Sequence, residues 1–310
     1  MSNITLEPAA QKFADATSKE PFLFQLSPEE GRKIFDDVQK ESIAYNDGIQ
    51  SELIKLSDFE VKLIKPKKSS STKLPVVFYV HGGGWVFGSP DGFGRLLGEI
   101  SKGVNAAVFA INYTRSPEAK YPTALDQIWQ TLQYITENGD KHNVDTSKIA
   151  ISGDSVGGNM SAITALRDQG KHLCGQALLY PVADFSFDSG SYHEFAKGFF
   201  LQRDGMKWFF DQYTGGVNES SDDTRISVLR TSKSDLAKAP PALILTAEAD
   251  VLRDHGEQYA NKLRDAGVQV TSARLGGIIH DFLLLDPLKD TGAAKAGRTL
   301  LIAQLKEWLA

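Results

Sequence analysis

Gly153-Asp154-Ser155-Val156-Gly157 constrains this chain more than any other stretch. The Gly-x-Ser-x-Gly pattern sits directly between a β-type run, Lys148-Ile149-Ala150-Ile151-Ser152, and a small-residue stretch from Asn159 to Asp168 that reads as helix. A serine placed there lies on a tight strand-to-helix turn. The flanking glycines are needed because backbone and neighbouring side chains come too close for a Cβ. The hydroxyl projects above the strand end, at the positive end of a helix. Ser155 is therefore a candidate nucleophile on an α/β scaffold.

A short Gly-Ser-Gly pattern on its own also marks ordinary turns. His81-Gly82-Gly83-Gly84-Trp85 strengthens the reading, because it follows another strand pattern, Pro75 to Val80. Three glycines past a strand let several backbone N–H groups converge, as acyl transfer requires for the negative oxygen of its tetrahedral intermediate. A phosphate cradle would want Gly-Lys-Ser/Thr at its end, and Trp85-Val86-Phe87 offers none.

The wider pattern is β-α-β-α. Strands are expected at 59–64, 75–80, 106–112, 148–152, 176–181, 242–247 and 268–274, and a polar turn at Ser69 to Thr72. Helices are expected at about 92–103, 123–138 and 255–266, with a last one from about Ala293. Ala107-Val108-Phe109-Ala110-Ile111 is apolar throughout, as a parallel strand buried on both faces should be. Residues 1–45 read as helices and connections, with a helix starting at Ser27-Pro28-Glu29-Glu30 and running to about Gln39. From Ala183 to Lys233 no strand is legible. The architecture is a mostly parallel, doubly wound sheet interrupted by one helical insertion.

Composition narrows the partners. A net charge of −5 and no basic run speak against nucleic acid and anionic membranes. No apolar run approaches a membrane span, and Met1 to Glu20 is too polar for a secretory signal. The single Cys174 suits a reducing compartment, so a cytoplasmic location is expected and Asn218-Glu219-Ser220 is a chance sequon. A homodimer is the assembly left open.

A serine needs a base. His280 lies just beyond the last strand pattern, on the side of the sheet where the elbow sits, and is the candidate. His81 shapes the glycine loop, His142 reads as solvated, His172 caps a helix end, His193 lies unplaced in the insertion and His255 opens a helix. The base needs a carboxylate. Asp250 is nearest a strand end, with Glu248 the alternative, while Asp254-x-x-Glu257 resembles a capping box. The order Ser155, Asp250, His280 is nucleophile, acid, base.

Together these residues resemble the α/β-hydrolase fold, and more narrowly the hormone-sensitive lipase family of esterases. The carriers are the glycine loop, Gly153 to Gly158, Asp250-Val251-Leu252-Arg253-Asp254, His280-Asp281-Phe282, and Asn112 to Glu118, which is similar to an Asp-Tyr-Arg-Leu-Ala-Pro-Glu segment. The resemblance implies a serine carboxylesterase for short- to medium-chain acyl esters, with a Ser155-Asp250-His280 triad, an oxyanion hole from the N–H groups of Gly83, Gly84 and Val156, and no metal or cofactor. It also implies a cap built from residues 1–45 and 184–233 over a core of 46–183 and 234–310. Trp85, Phe199, Phe200, Trp208 and Phe209 are the candidates for an apolar pocket, with docking of the cap as their competing use. Three departures stand out: Val156 for alanine, Asp281 for the glycine after the histidine, and Thr114-Arg115 within the charged segment. The same triad would serve an amide or formamide hydrolase similar to kynurenine formamidase. A non-catalytic receptor resembling the gibberellin receptor would lack the base.

Overall fold

The computed structural model describes residues 4–68, 73–216 and 223–310. Eight strands form one sheet: β1 Ile49–Lys55, β2 Glu60–Pro66, β3 Leu74–Val80, β4 Ala107–Asn112, β5 Val144–Asp154, β6 Leu173–Leu179, β7 Ala242–Ala249 and β8 Val270–Ile279. Their order is β1-β2-β4-β3-β5-β6-β7-β8. The pairings β1–β2 and β2–β4 are antiparallel, and all others are parallel. Nearly every residue of β3 to β7 that contributes to the sheet's middle is buried, so helices cover both faces there.

The elements follow the sequence pattern closely. Helices span Gly94–Val104, Thr123–Glu137, Ser155–Asp168, Arg253–Asp265 and Gly292–Leu309. Strand β1 is the addition. Only Ile49 and Ile54 are buried along it, so as an edge strand it carries too little apolar signal to announce itself. The turn expected at Ser69 to Thr72 and the sequon at Asn218 lie outside the described residues.

Before the sheet, helices span Pro8–Thr17, Pro28–Val38 and Lys40–Ile43. Ser27 starts the second of these as expected: its hydroxyl accepts from the Glu30 N–H, and Glu30 reaches back to the Ser27 N–H. Between β6 and β7 the described insertion contains helices Gly190–Glu194 and Arg203–Thr214 and no strand. Arg203–Thr214 packs on the turn Leu23–Gln25, so the N-terminal segment and the insertion meet each other.

Two local expectations are corrected. Asp254 does not cap its helix. The helix starts at Arg253 with Leu252 at the N-cap position and no side-chain cap, and Asp250 Oδ1 accepts the Leu252 N–H at 2.9 Å, fixing the turn before the helix. Asp254 instead accepts the Ser191 N–H at 2.7 Å, tying the insertion to the core, and Glu257 pairs with Arg274. His142 is buried, not solvated. Asn143 in the left-handed region turns the chain, and the imidazole meets the Tyr134 hydroxyl at 2.7 Å and the edge of Phe109. Among the described residues no helix is long and apolar enough to cross a membrane.

Candidate active site

Strand β5 ends at Asp154, and the helix Ser155–Asp168 begins at once. Ser155 sits at φ +52°, a left-handed conformation that a serine adopts only under strain. The turn is closed by contact. A Cβ on Gly153 would lie 2.4 Å from the Gly157 carbonyl oxygen, and one on Gly157 would lie 2.1 Å from that of Val80. The Ser155 hydroxyl is 3.0 Å from His280 Nε2. His280 Nδ1 is 2.6 Å from Asp250 Oδ2, and all three side chains are buried. With the carboxylate accepting Nδ1–H, Nε2 carries the lone pair that accepts the serine O–H.

The remaining candidates sort out by position. Glu248 accepts the Gly277 N–H at 2.7 Å, so it braces β8 while Asp250 takes the histidine. His193 pairs with exposed Asp188, and His172 with Asp168 at its helix end. His255 is buried edge-on to Tyr192. Burial pushes His81 down to about 3, so it stays neutral; its Nδ1–H donates to the Gly82 carbonyl and its ring stacks on Tyr113.

The glycine loop is held from behind. Asp154 Oδ1 accepts both the Gly82 N–H at 3.0 Å and the Tyr79 hydroxyl at 2.9 Å. The Gly83 carbonyl accepts the N–H groups of Val86 and Phe87. The N–H of Gly82 is thereby used up. Those of Gly83 and Gly84 appear in no backbone pairing among the described residues, and both residues line the same cavity as Ser155 and His280. Val156 is in the first turn of its helix, where N–H groups have no partner within the helix.

That cavity is about 220 Å³ and mostly apolar. Phe22 and Phe24 come from the N-terminal segment, Phe87 from beyond the glycine loop, and Phe200, Met206 and Phe209 from the insertion. Of the five expected pocket residues, Phe200 and Phe209 line it. Trp85 does not: it is buried and stacks face-on against Tyr213 at 4.3 Å, outside the cavity lining. Phe199 packs on Phe195, and Trp208 on Phe87 and Phe209. The helix Arg203–Thr214 explains the split, since Met206, Phe209, Phe210 and Tyr213 share its buried face and Trp208 falls outside that spacing. The missed lining residues had weak signals. Phe22 and Phe24 belong to the short apolar run Phe22-Leu23-Phe24, too brief to read as a helix or strand, and Met206 shows itself only by standing three residues before Phe209.

The electrostatics centre on His280. Burial pulls its pKa down, but the charges of Asp250 and Asp281 more than offset this and lift it to about 9. Asp281 Oδ1 is 3.4 Å from His280 Nε2. Burial raises both Asp154 and Asp281 above the usual carboxylate range; the charge of Asp281 raises Asp154 further, while at Asp281 His280 lowers and Asp250 raises the carboxyl. The departures in the charged segment are also resolved: Arg115 donates to the Gly88 carbonyl, and Glu118 pairs with Arg32.

A parallel sheet with an elbow serine, a histidine after its last strand and an aspartate between them defines a hydrolase of the α/β class. The chain belongs to the alpha/beta hydrolase fold family, whose model matches residues 77–284. An α/β hydrolase of Acanthamoeba polyphaga mimivirus is 36% identical over 97% of this chain and 88% of its own length. An esterase of Gibberella moniliformis is 30% identical over 98% of both chains. The crystal structure of a thermostable esterase from Pseudomonas putida ECU1011 superposes with a TM-score of 0.93 at 38% identity, over 100% of this chain and 99% of that one. The resemblance to hormone-sensitive lipase-type esterases therefore holds, and the chain is a carboxylesterase-type enzyme.

Proposed function

We propose that this protein is a serine carboxylesterase that hydrolyses short- to medium-chain acyl esters by two-step acyl transfer. The observation that carries the reading is the unbroken chain Ser155 Oγ to His280 Nε2 at 3.0 Å and His280 Nδ1 to Asp250 Oδ2 at 2.6 Å, opening on an apolar cavity. His280 takes the Ser155 proton as Oγ attacks the ester carbonyl. The oxyanion is held by the N–H groups of Gly83, Gly84 and Val156. His280 then protonates the leaving alkoxide, and water hydrolyses the acyl-enzyme by the reverse proton path. Residues 1–45 and 184–233 act as the cap over the core of 46–183 and 234–310, and the shared phenylalanine lining supports that division. A cavity of about 220 Å³ supports short and medium acyl chains over long ones.

The test is release of p-nitrophenol from acetate, butyrate, octanoate and palmitate esters, with Ser155→Ala alongside. Turnover on the shorter esters that the alanine variant loses is expected. Equal turnover by both proteins would remove the assignment.

A further inference from the structure

The histidine of the site is followed by a second carboxyl group that the triad does not use. Asp281 is 5% exposed, yet it lines the cavity, where it is the only acidic residue among the described ones. Its Oδ1 lies 3.4 Å from His280 Nε2, the nitrogen that also faces Ser155 Oγ at 3.0 Å. That oxygen accepts no hydrogen bond from any described residue. A buried polar atom without a hydrogen-bond donor is uncommon, and its ion-pair neighbour His280 Nε2 has no proton to offer while the ring is neutral, the state that attack requires, so in that state a donor from outside the chain fits Oδ1. The backbone also holds it there under strain: Asp281 is at φ +62°, fixed by a turn in which the N–H groups of Leu284 and Leu285 return to its carbonyl.

Resting on the acyl-enzyme reading above, we infer that Asp281 Oδ1 positions the acyl acceptor of the second half-reaction and selects water over an alcohol. Two acceptor atoms 3.4 Å apart can both be reached by one oxygen at ordinary hydrogen-bond distances of about 2.8 Å. Water has two O–H groups and satisfies both. An alcohol has one, which His280 Nε2 requires, and so it sets an alkyl carbon against the buried carboxyl oxygen. The step balances without a further reactant. The water oxygen bonds to the acyl carbon and passes one proton to Nε2. The tetrahedral intermediate then breaks its bond to Ser155 Oγ, and Nε2 returns that proton to the serine, leaving the carboxylic acid. Asp281 transfers no proton. Oδ1 accepts in the carboxylate and, with the proton on Oδ2, in the acid as well.

The experiment is a competition on one acyl-enzyme. Wild type, Asp281→Gly, Asp281→Ala and Asp281→Asn turn over p-nitrophenyl butyrate in water containing 1-propanol, and propyl butyrate and butyric acid are quantified. The ratio compares two acceptors of the same intermediate, so altered acylation or basicity of His280 cancels. Asp281→Gly suits the positive φ and should fold. Both it and Asp281→Ala are expected to raise the ester-to-acid ratio about fivefold, the size of one hydrogen bond. Asp281→Asn keeps an accepting oxygen and should stay within about twofold of wild type. An unchanged ratio in Gly and Ala, while wild type forms both products, overturns the role of Asp281 alone. Wild type that releases no p-nitrophenol and forms neither product overturns the acyl-enzyme reading instead.

Discussion

Asp154 accepts the backbone N–H of Gly82 at 3.0 Å, so the residue before the elbow serine fixes the glycine loop that faces that serine. The same oxygen takes the Tyr79 hydroxyl, and the whole group is buried. Removing it leaves two buried donors unpaired, each costing about 1–3 kcal/mol. Asp154→Ala should therefore lose stability in denaturant unfolding and lower kcat, as the loop drifts from the oxyanion. Burial raises this carboxyl, so the folded chain binds its proton more tightly than the unfolded one, and stability from it falls as pH rises above the ordinary 3.8. Asp154→Asn keeps an accepting oxygen and no charge, so it should flatten that fall while keeping most activity. Identical unfolding midpoints for Ala and wild type would contradict the tie.

The histidine sets the pH profile. His280 stands at about 9 because Asp250 at Nδ1 and Asp281 at Nε2 outweigh burial, with Asp154 adding to them. Attack needs the neutral ring, so kcat/KM for p-nitrophenyl butyrate should climb with pH and level off above about 9. Its stability contribution has the matching sign: complete below the ordinary 6.5, and lost as pH rises through about 9. Asp281→Asn removes one of the charges and should move the kinetic limb to lower pH. A wild-type limb at or below 6.5 would show that the carboxylates do not outweigh burial.

Gly84, proposed as an oxyanion donor, also meets the pocket wall. It is at φ +63°, and a Cβ there would lie 2.2 Å from the Phe209 ring. Gly84→Ala should turn its N–H away and drive Phe209 into the cavity. Loss of one oxyanion donor costs about 10²-fold or more in kcat. Steady-state kinetics on the acetate ester checks this, and a kcat within about threefold of wild type would take Gly84 out of the oxyanion hole.

Phe209 packs edge-on to Phe87, and together they bound the cavity above the serine. Phe209→Ala should shift the acyl-chain optimum toward octanoate, at a stability cost near the low end of the roughly 3–5 kcal/mol typical of such truncations, because one side of the ring faces the cavity. Trp208→Ala removes a ring outside the cavity and should leave the optimum where it is. A profile over the four p-nitrophenyl esters separates the two.

These contrasts show what a sequence of this kind displays. The elbow and the glycine loop are legible because each is a short contiguous motif whose glycines stand where a Cβ would strike backbone, that of Gly157 for Gly153 and that of Val80 and His81 for Gly157. His280 and Asp250 are legible because topology puts every post-strand loop of a parallel sheet at the same end. The pocket is not, because Phe22 and Phe209 reach one cavity only through contact between two segments that neither one's own pattern describes. The capping box expected at Asp254 is absent because the helix starts at Arg253, which puts Asp254 inside the first turn, where it accepts the Ser191 N–H, and spacing alone does not show that start.

Arg32 ties the N-terminal segment to the loops beneath it. Its guanidinium makes a two-pronged pair with Glu118, both contacts at 2.7 Å, and also donates to the carbonyls of Val86 at 2.8 Å and Ser116 at 2.9 Å. Val86 precedes Phe87, which lines the cavity, so this one side chain braces the pocket wall. The pair holds the Glu118 carboxyl down at about 2. Its contribution is therefore present above the ordinary 4.5 and lost as pH falls through about 2. Glu118 is half exposed, which limits the pair to about 1 kcal/mol after screening. The two carbonyl bonds add about 1 kcal/mol each. Arg32→Ala should thus cost about 2–3 kcal/mol in urea unfolding at pH 7 and raise KM more than it lowers kcat. Glu118→Gln should lose only the acid-dependent part, so its stability difference from wild type should shrink between pH 7 and pH 3. If Glu118→Gln proves as costly as Arg32→Ala, the ion pair and not the carbonyl contacts is what holds the segment down.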